Sequence, residues 1–148
     1  MKNLFIGSTL IFLASCSTEE GTRTYTTAIR NTSDKPLHIL VLGDDKGRNT
    51  PVYDTLVNTV LQKNETFNKT YKHLAYNGLN AIIYYTKITF LDTSKGYICE
   101  KNNTTNNLCF VNKVSLTDAY FEYDFTLENG VHYYDITQTD YENAHVLP

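Results

Sequence analysis

Tryptophan is missing from this 148-residue chain and methionine occurs only at its start. Lysine and arginine never stand side by side, so no basic patch forms and no nucleic-acid partner is expected. There is no Gly-x-Ser-x-Gly elbow, no His-Glu-x-x-His, no phosphate-cradling glycine loop and no repeated Cys-x-x-Cys, so no catalytic, cofactor or metal set is nominated by motif. Long apolar runs are lacking too. The one candidate, Leu4 to Leu13, covers ten residues, half of the ~20 that a helix needs to cross a hydrocarbon core.

That run follows a single early cation, Lys2, and leads into Leu13-Ala14-Ser15-Cys16, the layout of a secretory signal with small residues at its cleavage site. The four residues resemble, position by position, the lipobox of bacterial lipoproteins. The resemblance implies cleavage between Ser15 and Cys16 and a diacylglycerol on the Cys16 thiol. It divides the chain into a signal peptide (1–15), a lipidated cysteine with its tether (16–23) and a single domain (24–148).

Removing 15 of 148 residues leaves 133, the size of one ordinary domain. Such a domain buries roughly two-thirds of its unfolded surface and requires no cofactor to hold it together. Without Lys2 the net charge moves from −3 to −4, which opposes an anionic membrane surface weakly. Attachment to the membrane therefore falls to acyl chains on Cys16. Ser17 to Arg23 is short and polar, and as a coil it spans about 15 Å, keeping the domain close to the bilayer. Glu19-Glu20 resembles the acidic patch behind the lipidated cysteine of surface-exposed lipoproteins of the Bacteroidota. Any solvated linker carries acids, so the periplasmic and surface faces of the outer membrane both stay open.

With Cys16 assigned to lipid, Cys99 and Cys109 remain as a pair in an oxidising compartment. A disulfide between them would close the loop Glu100 to Leu108 and contribute about 2.8 kcal/mol on the chain-entropy account. The rival, a zinc site, lacks the ligand spacing and the adjacent histidine.

The body reads as strands. Thr24 to Asn31 puts Tyr25, Thr27 and Ile29 on one face, and Leu37 to Leu42 is an apolar run suited to an interior strand. Leu56 to Leu61 and Glu65 to Lys72 follow, joined across Gln62-Lys63-Asn64. Ile82, Tyr84, Thr86, Ile88 and Phe90 share one parity, and Asp92 to Gly96 turns the chain back into Tyr97 to Cys99. Tyr120 to Leu127 alternates Phe121, Tyr123, Phe125 and Leu127 against polar neighbours, predicting a half-buried strand. Glu128-Asn129-Gly130 then predicts a type I′ hairpin into Val131 to Ile136. Thr137 or Thr139 is placed to cap a short last helix through Asn143. The expected fold is an all-β antiparallel sandwich, immunoglobulin-like or related, with a short C-terminal helix.

The lipobox, the Asn/Thr/Tyr/Lys-rich body, the cysteine pair around an Asn/Thr loop and the tail Tyr133 to Ala144 together resemble the small uncharacterised lipoproteins of the Bacteroidota. The likeness implies a location in the outer envelope and a fold, but no chemistry. Asp54-Thr55-Leu56 resembles the O-glycosylation sequon of those bacteria and implies a sugar on Thr55; an ordinary loop-to-strand junction is the alternative.

Four further features weigh on chemistry. His38, His73, His132 and His145 are far apart in sequence, and for His38 and His132, which fall in predicted strands, a solvent-facing or backbone-bonded imidazole is the plain reading. Asp44, Asp45 and Asn49 offer oxygen ligands to Ca²⁺, but Lys46 and Arg48 would repel the ion, so a charged hairpin tip is favoured. Asp118, Glu122, Asp124 and Asp135 form an acidic strip if the last hairpin is regular, and paired carboxylates cleave glycosides when one of them is desolvated. The twelve tyrosines serve either as β-formers or as an exposed binding platform. The expectation is a lipid-anchored envelope protein with a non-enzymatic binding or structural role toward an envelope protein or glycan. The alternatives are an envelope hydrolase and an immunity-type lipoprotein that blocks a toxin.

Overall fold

The computed structural model describes residues 21–48, 53–103 and 107–148; Ser15 and Cys16, with the whole lipobox, and Asn49 lie outside them. Nine strands and one short helix follow in order: β1 Arg23–Asn31, β2 Leu37–Asp44, β3 Asp54–Leu61, β4 Thr66–His73, β5 Ile82–Phe90, β6 Lys95–Glu100, β7 Thr126–Glu128, β8 Val131–Ile136, α1 Gln138–Glu142 and β9 His145–Val146. They form two sheets, β4-β1-β8-β7 and β3-β2-β5-β6-β9. The fold is an all-β sandwich. Every pairing is antiparallel except β1 with β8, which run parallel in the middle of the smaller sheet. No described helix is long and apolar enough to cross a membrane.

Alternation explains why the layers meet. Leu37, Ile39 and Val41 of β2 and Ile88 and Phe90 of β5 point inward, opposite Ile29 of β1 and Tyr134 and Ile136 of β8, all of them buried. Asn31 joins the layers at one end. Its amide donates to the carbonyls of Lys35 and Leu61, and its oxygen accepts from the Ser33 amide and hydroxyl.

Register accounts for one departure from the expected faces. Between β2 and β5 the pairing slips, so that Leu42 faces Tyr85 while Gly43 faces Ile83. Gly43 is required there, because a Cβ would lie 2.3 Å from the Ile82 carbonyl. Past this bulge the parity reverses. Ile83 turns into the core, Ile82 turns out, and the half-buried Tyr84 packs at a tilt against exposed Tyr53 with 5.4 Å between ring centroids.

The predicted strand Tyr120 to Leu127 does not form. The Asp124 carboxylate accepts the N–H groups of Tyr120 and Phe121 at 3.0 and 2.9 Å, folding the chain into a 3₁₀ turn over Glu122–Asp124 and leaving only three residues for β7. Such local bonding competes directly with a ladder. Of the four alternating apolar residues only Phe125 is buried. The acidic strip dissolves with the strand: Asp118 accepts from Ser115 and Thr117, Asp124 caps the turn, and Asp135 pairs with Arg30. The next prediction holds. Asn129 and Gly130 both take positive φ (49° and 80°), as a type I′ turn demands.

Four carboxylates sit below their ordinary range. Hydrogen bonds from Lys63, Lys35 and Arg30 hold down Asp34, Asp92 and Glu128 respectively. Burial pushes Asp44 up, but the N–H groups of Lys46 and Arg48 and the Arg48 guanidinium outweigh it. Depressed folded values mean stability that is complete above the unfolded pKa, about 4, and is lost as pH falls through the folded values. The melting temperature should therefore stay level from about pH 7 to 5 and drop below about pH 4. The R48Q variant, measured by calorimetry at each pH, should drop less steeply.

Candidate functional site

Because β7 pairs only with Val131 to Tyr133, the edge of β8 beyond it has no strand beside it among the described residues. Lys113 fills that place. Its ammonium donates to the Asp135 carbonyl and to Asp140 Oδ2, the latter at 2.9 Å, and lies over the rings of Tyr134 (4.4 Å) and Phe110 (5.1 Å). Burial lowers its pKa, while the Asp140 carboxylate pulls the other way. A cleft of about 660 Å³ opens around it, bounded by the 110–113 segment, the end of β8, α1 and the chain at His145.

The cysteine pair builds one wall. Cys99 on β6 and Cys109 lie at bonding distance, with Cα atoms 4.7 Å apart, and the Leu108 carbonyl accepts from the Ile98 amide. This attachment sets Phe110 flat on Tyr97 at 3.9 Å and brings the Cys109 carbonyl within 3.3 Å of His145 Nε2. Tyr97 donates to the Asp140 carbonyl at 2.6 Å, and burial pushes its phenol up to about 12. Tyr134, buried still further, donates to the Val114 carbonyl at 2.8 Å. At the opposite wall α1 begins as expected: Thr137 caps it, accepting from the Asp140 amide while Asp140 Oδ2 accepts from the Thr137 amide and hydroxyl.

Every charged group at the cleft is thus bonded within the chain. Lys113 and Asp140 neutralise each other, Asp124 holds two backbone amides, and Asp135 accepts from Arg30 Nε at 2.6 Å, the guanidinium lying over Tyr133 at 4.0 Å. Asn112, Thr126 and Thr139 line the same cleft and are exposed to solvent, free of the ion pairs that occupy the charged groups. The arrangement offers aromatic rings and neutral donors and acceptors beside the paired charges.

Comparisons with known protein families, curated proteins and solved structures find no match.

The other residues singled out by sequence lie apart from one another. His38 Nε2 bonds Asn58 Oδ1, His73 Nδ1 meets the Ala75 carbonyl, and His132 is buried with its ring stacked on Tyr76 at 4.0 Å. Only His145 reaches the cleft. The Asp44 carboxylate is filled by Lys46 and Arg48 of its own loop, which makes the loop a charged hairpin tip, and among the described residues no cluster of His, Cys, Asp or Glu suits a metal ion. Thr55 is exposed near the start of the edge strand β3. Sequence reasoning missed Lys113, Phe110 and Asn112. Their proximity to Cys109 was the available signal, because a residue tied by a disulfide carries its neighbours to a fixed place.

Proposed function

We propose that this chain is a lipid-anchored, non-enzymatic binding protein of the bacterial outer envelope, and that its cleft receives an uncharged glycan segment. The lipobox supports the anchor. The observation that carries the ligand is the division of labour in the cleft: the charges satisfy one another, and the uncommitted groups are an amide and two hydroxyls beside aromatic rings. Sugar rings match that set, with C–H faces for aromatics and hydroxyls for neutral polar partners. The cleft is of the size that holds small ligands. A hydrolase would need a carboxylate free to exchange a proton, and Asp124 and Asp140 are both held by backbone amides.

The test uses the lipoprotein solubilised from its native host. Neutral oligosaccharides released from envelopes are titrated calorimetrically against wild type and against N112A and T139V. Each variant should weaken binding about tenfold, the worth of one or two hydrogen bonds left unmade. Equal binding by both variants would remove the cleft from the reading. The anchor is checked separately: Cys16→Ser should leave the membrane fraction and lose labelled fatty acid.

A further inference from the structure

The tether fixes which end of the sandwich meets the membrane. Six residues, 17–22, separate Cys16 from the first residue of β1, so Arg23 lies within about 25 Å of the lipidated sulfur even at full extension. Arg23 pairs with His73, the last residue of β4, and Leu74 follows at once. From there residues 74–81 cross between the sheets, held by the Gly78 carbonyl, which accepts from the Thr27 and Tyr71 hydroxyls. The segment leading to β7 rests on this crossover, with Ala119 so close to Gly78 that a Cβ there would meet its carbonyl at 2.6 Å, and with Phe125 edge-on to Tyr76 at 5.4 Å. The Asn129-Gly130 turn reaches the same end, since Val131 pairs with Thr26.

This end exposes large apolar side chains. Phe121 is 58% exposed, Tyr123 80%, Leu74 58% and Leu127 61%, and Phe121 and Tyr123 stack with centroids 5.1 Å apart. Folding leaves more than half of each of the four open to solvent. Arg23 and Lys72 stand exposed beside them.

We propose that this end of the sandwich docks on the lipid bilayer, with Phe121, Tyr123 and Leu127 entering the interfacial layer. The proposal rests on the lipid anchor proposed above. Aromatic rings with a polar edge favour the headgroup boundary, and a short tether keeps them within reach of it, so modest apolar burial suffices.

The absence of tryptophan supplies the test. The variants F121W, L127W and V146W each carry a single indole; Val146 is exposed on β9, beside the Lys95 end of β6. Each lipidated protein is reconstituted into phosphatidylcholine vesicles with and without brominated acyl chains. Brominated lipid should remove about half the emission of F121W and L127W, as expected for side chains buried 5–10 Å into the boundary, and leave V146W nearly unchanged. Co-flotation of acylated protein with equal, weak quenching at all three positions would overturn the docking and spare the anchor. Protein that carries no acyl chain and does not float would overturn both.

Discussion

Replacing Cys99 and Cys109 together by alanine should lower the melting temperature by about 10 °C and abolish binding in the cleft. The bridge closes a loop of roughly ten residues, which the chain-entropy account values at about 2.8 kcal/mol, and a domain of this size loses about 3–5 °C for each kcal/mol. The functional loss has a separate cause. Cys99 is buried in β6, opposite Thr86 of β5, so it is a fixed point; Cys109 hangs from it, and Phe110 and Lys113 are placed by Cys109. Release of that point frees Phe110 from Tyr97 and leaves the β8 edge without the ammonium that satisfies the Asp135 carbonyl. Calorimetry of wild type with and without reductant should reproduce the shift seen in the double variant. An unchanged melting temperature under reductant would show that the pair does not bridge.

The parts of this architecture that were legible in the sequence are those decided within a few residues. Asn129-Gly130 announced its turn because both positions need positive φ, and Thr137 or Thr139 announced a short helix, of which the structure takes Thr137, capped reciprocally with Asp140. Strand faces were legible wherever the ladder is regular, as along β1 and from Thr86 to Phe90. They failed at Gly43, where a bulge set by the partner strand reverses the parity of Ile82 and Tyr84. They failed again at Tyr120 to Leu127, where one carboxylate, Asp124, outcompetes the ladder for two amides. The parallel pairing of β1 with β8 brings together residues about a hundred positions apart, and no local pattern encodes it. The cleft depends on that pairing and on the bridge at once. Lys113 therefore reads in the sequence as an ordinary surface lysine.

Asn31→Leu is expected to destabilise the sandwich severely, costing about 3–4 kcal/mol by the sum of the polar groups it strands. Leucine has the same branching but bulkier ends, so some overpacking adds to the main effect, which is that all four hydrogen bonds of the side chain disappear at a site that is fully buried. The Leu61 carbonyl and the Ser33 amide lose a partner where water cannot replace it. The consequence is not confined to a turn. Asn31 is the last residue of β1, whose backbone accepts from the Asn64 amide and donates to the Glu65 carbonyl, and its amide reaches the end of β3 in the other sheet. It therefore bonds the layers together at the end away from the tether. Asn31→Asp should be worse still, since it keeps the acceptor but loses both donors and adds a buried charge. Ser33→Ala removes only the hydroxyl arm and should cost about 1 kcal/mol. Urea unfolding at neutral pH orders the three variants. A loss of under about 1 kcal/mol for Asn31→Leu, with an unchanged m-value, would mean that relaxation of the 32–36 turn satisfies those groups and that the two sheets are joined by apolar packing alone.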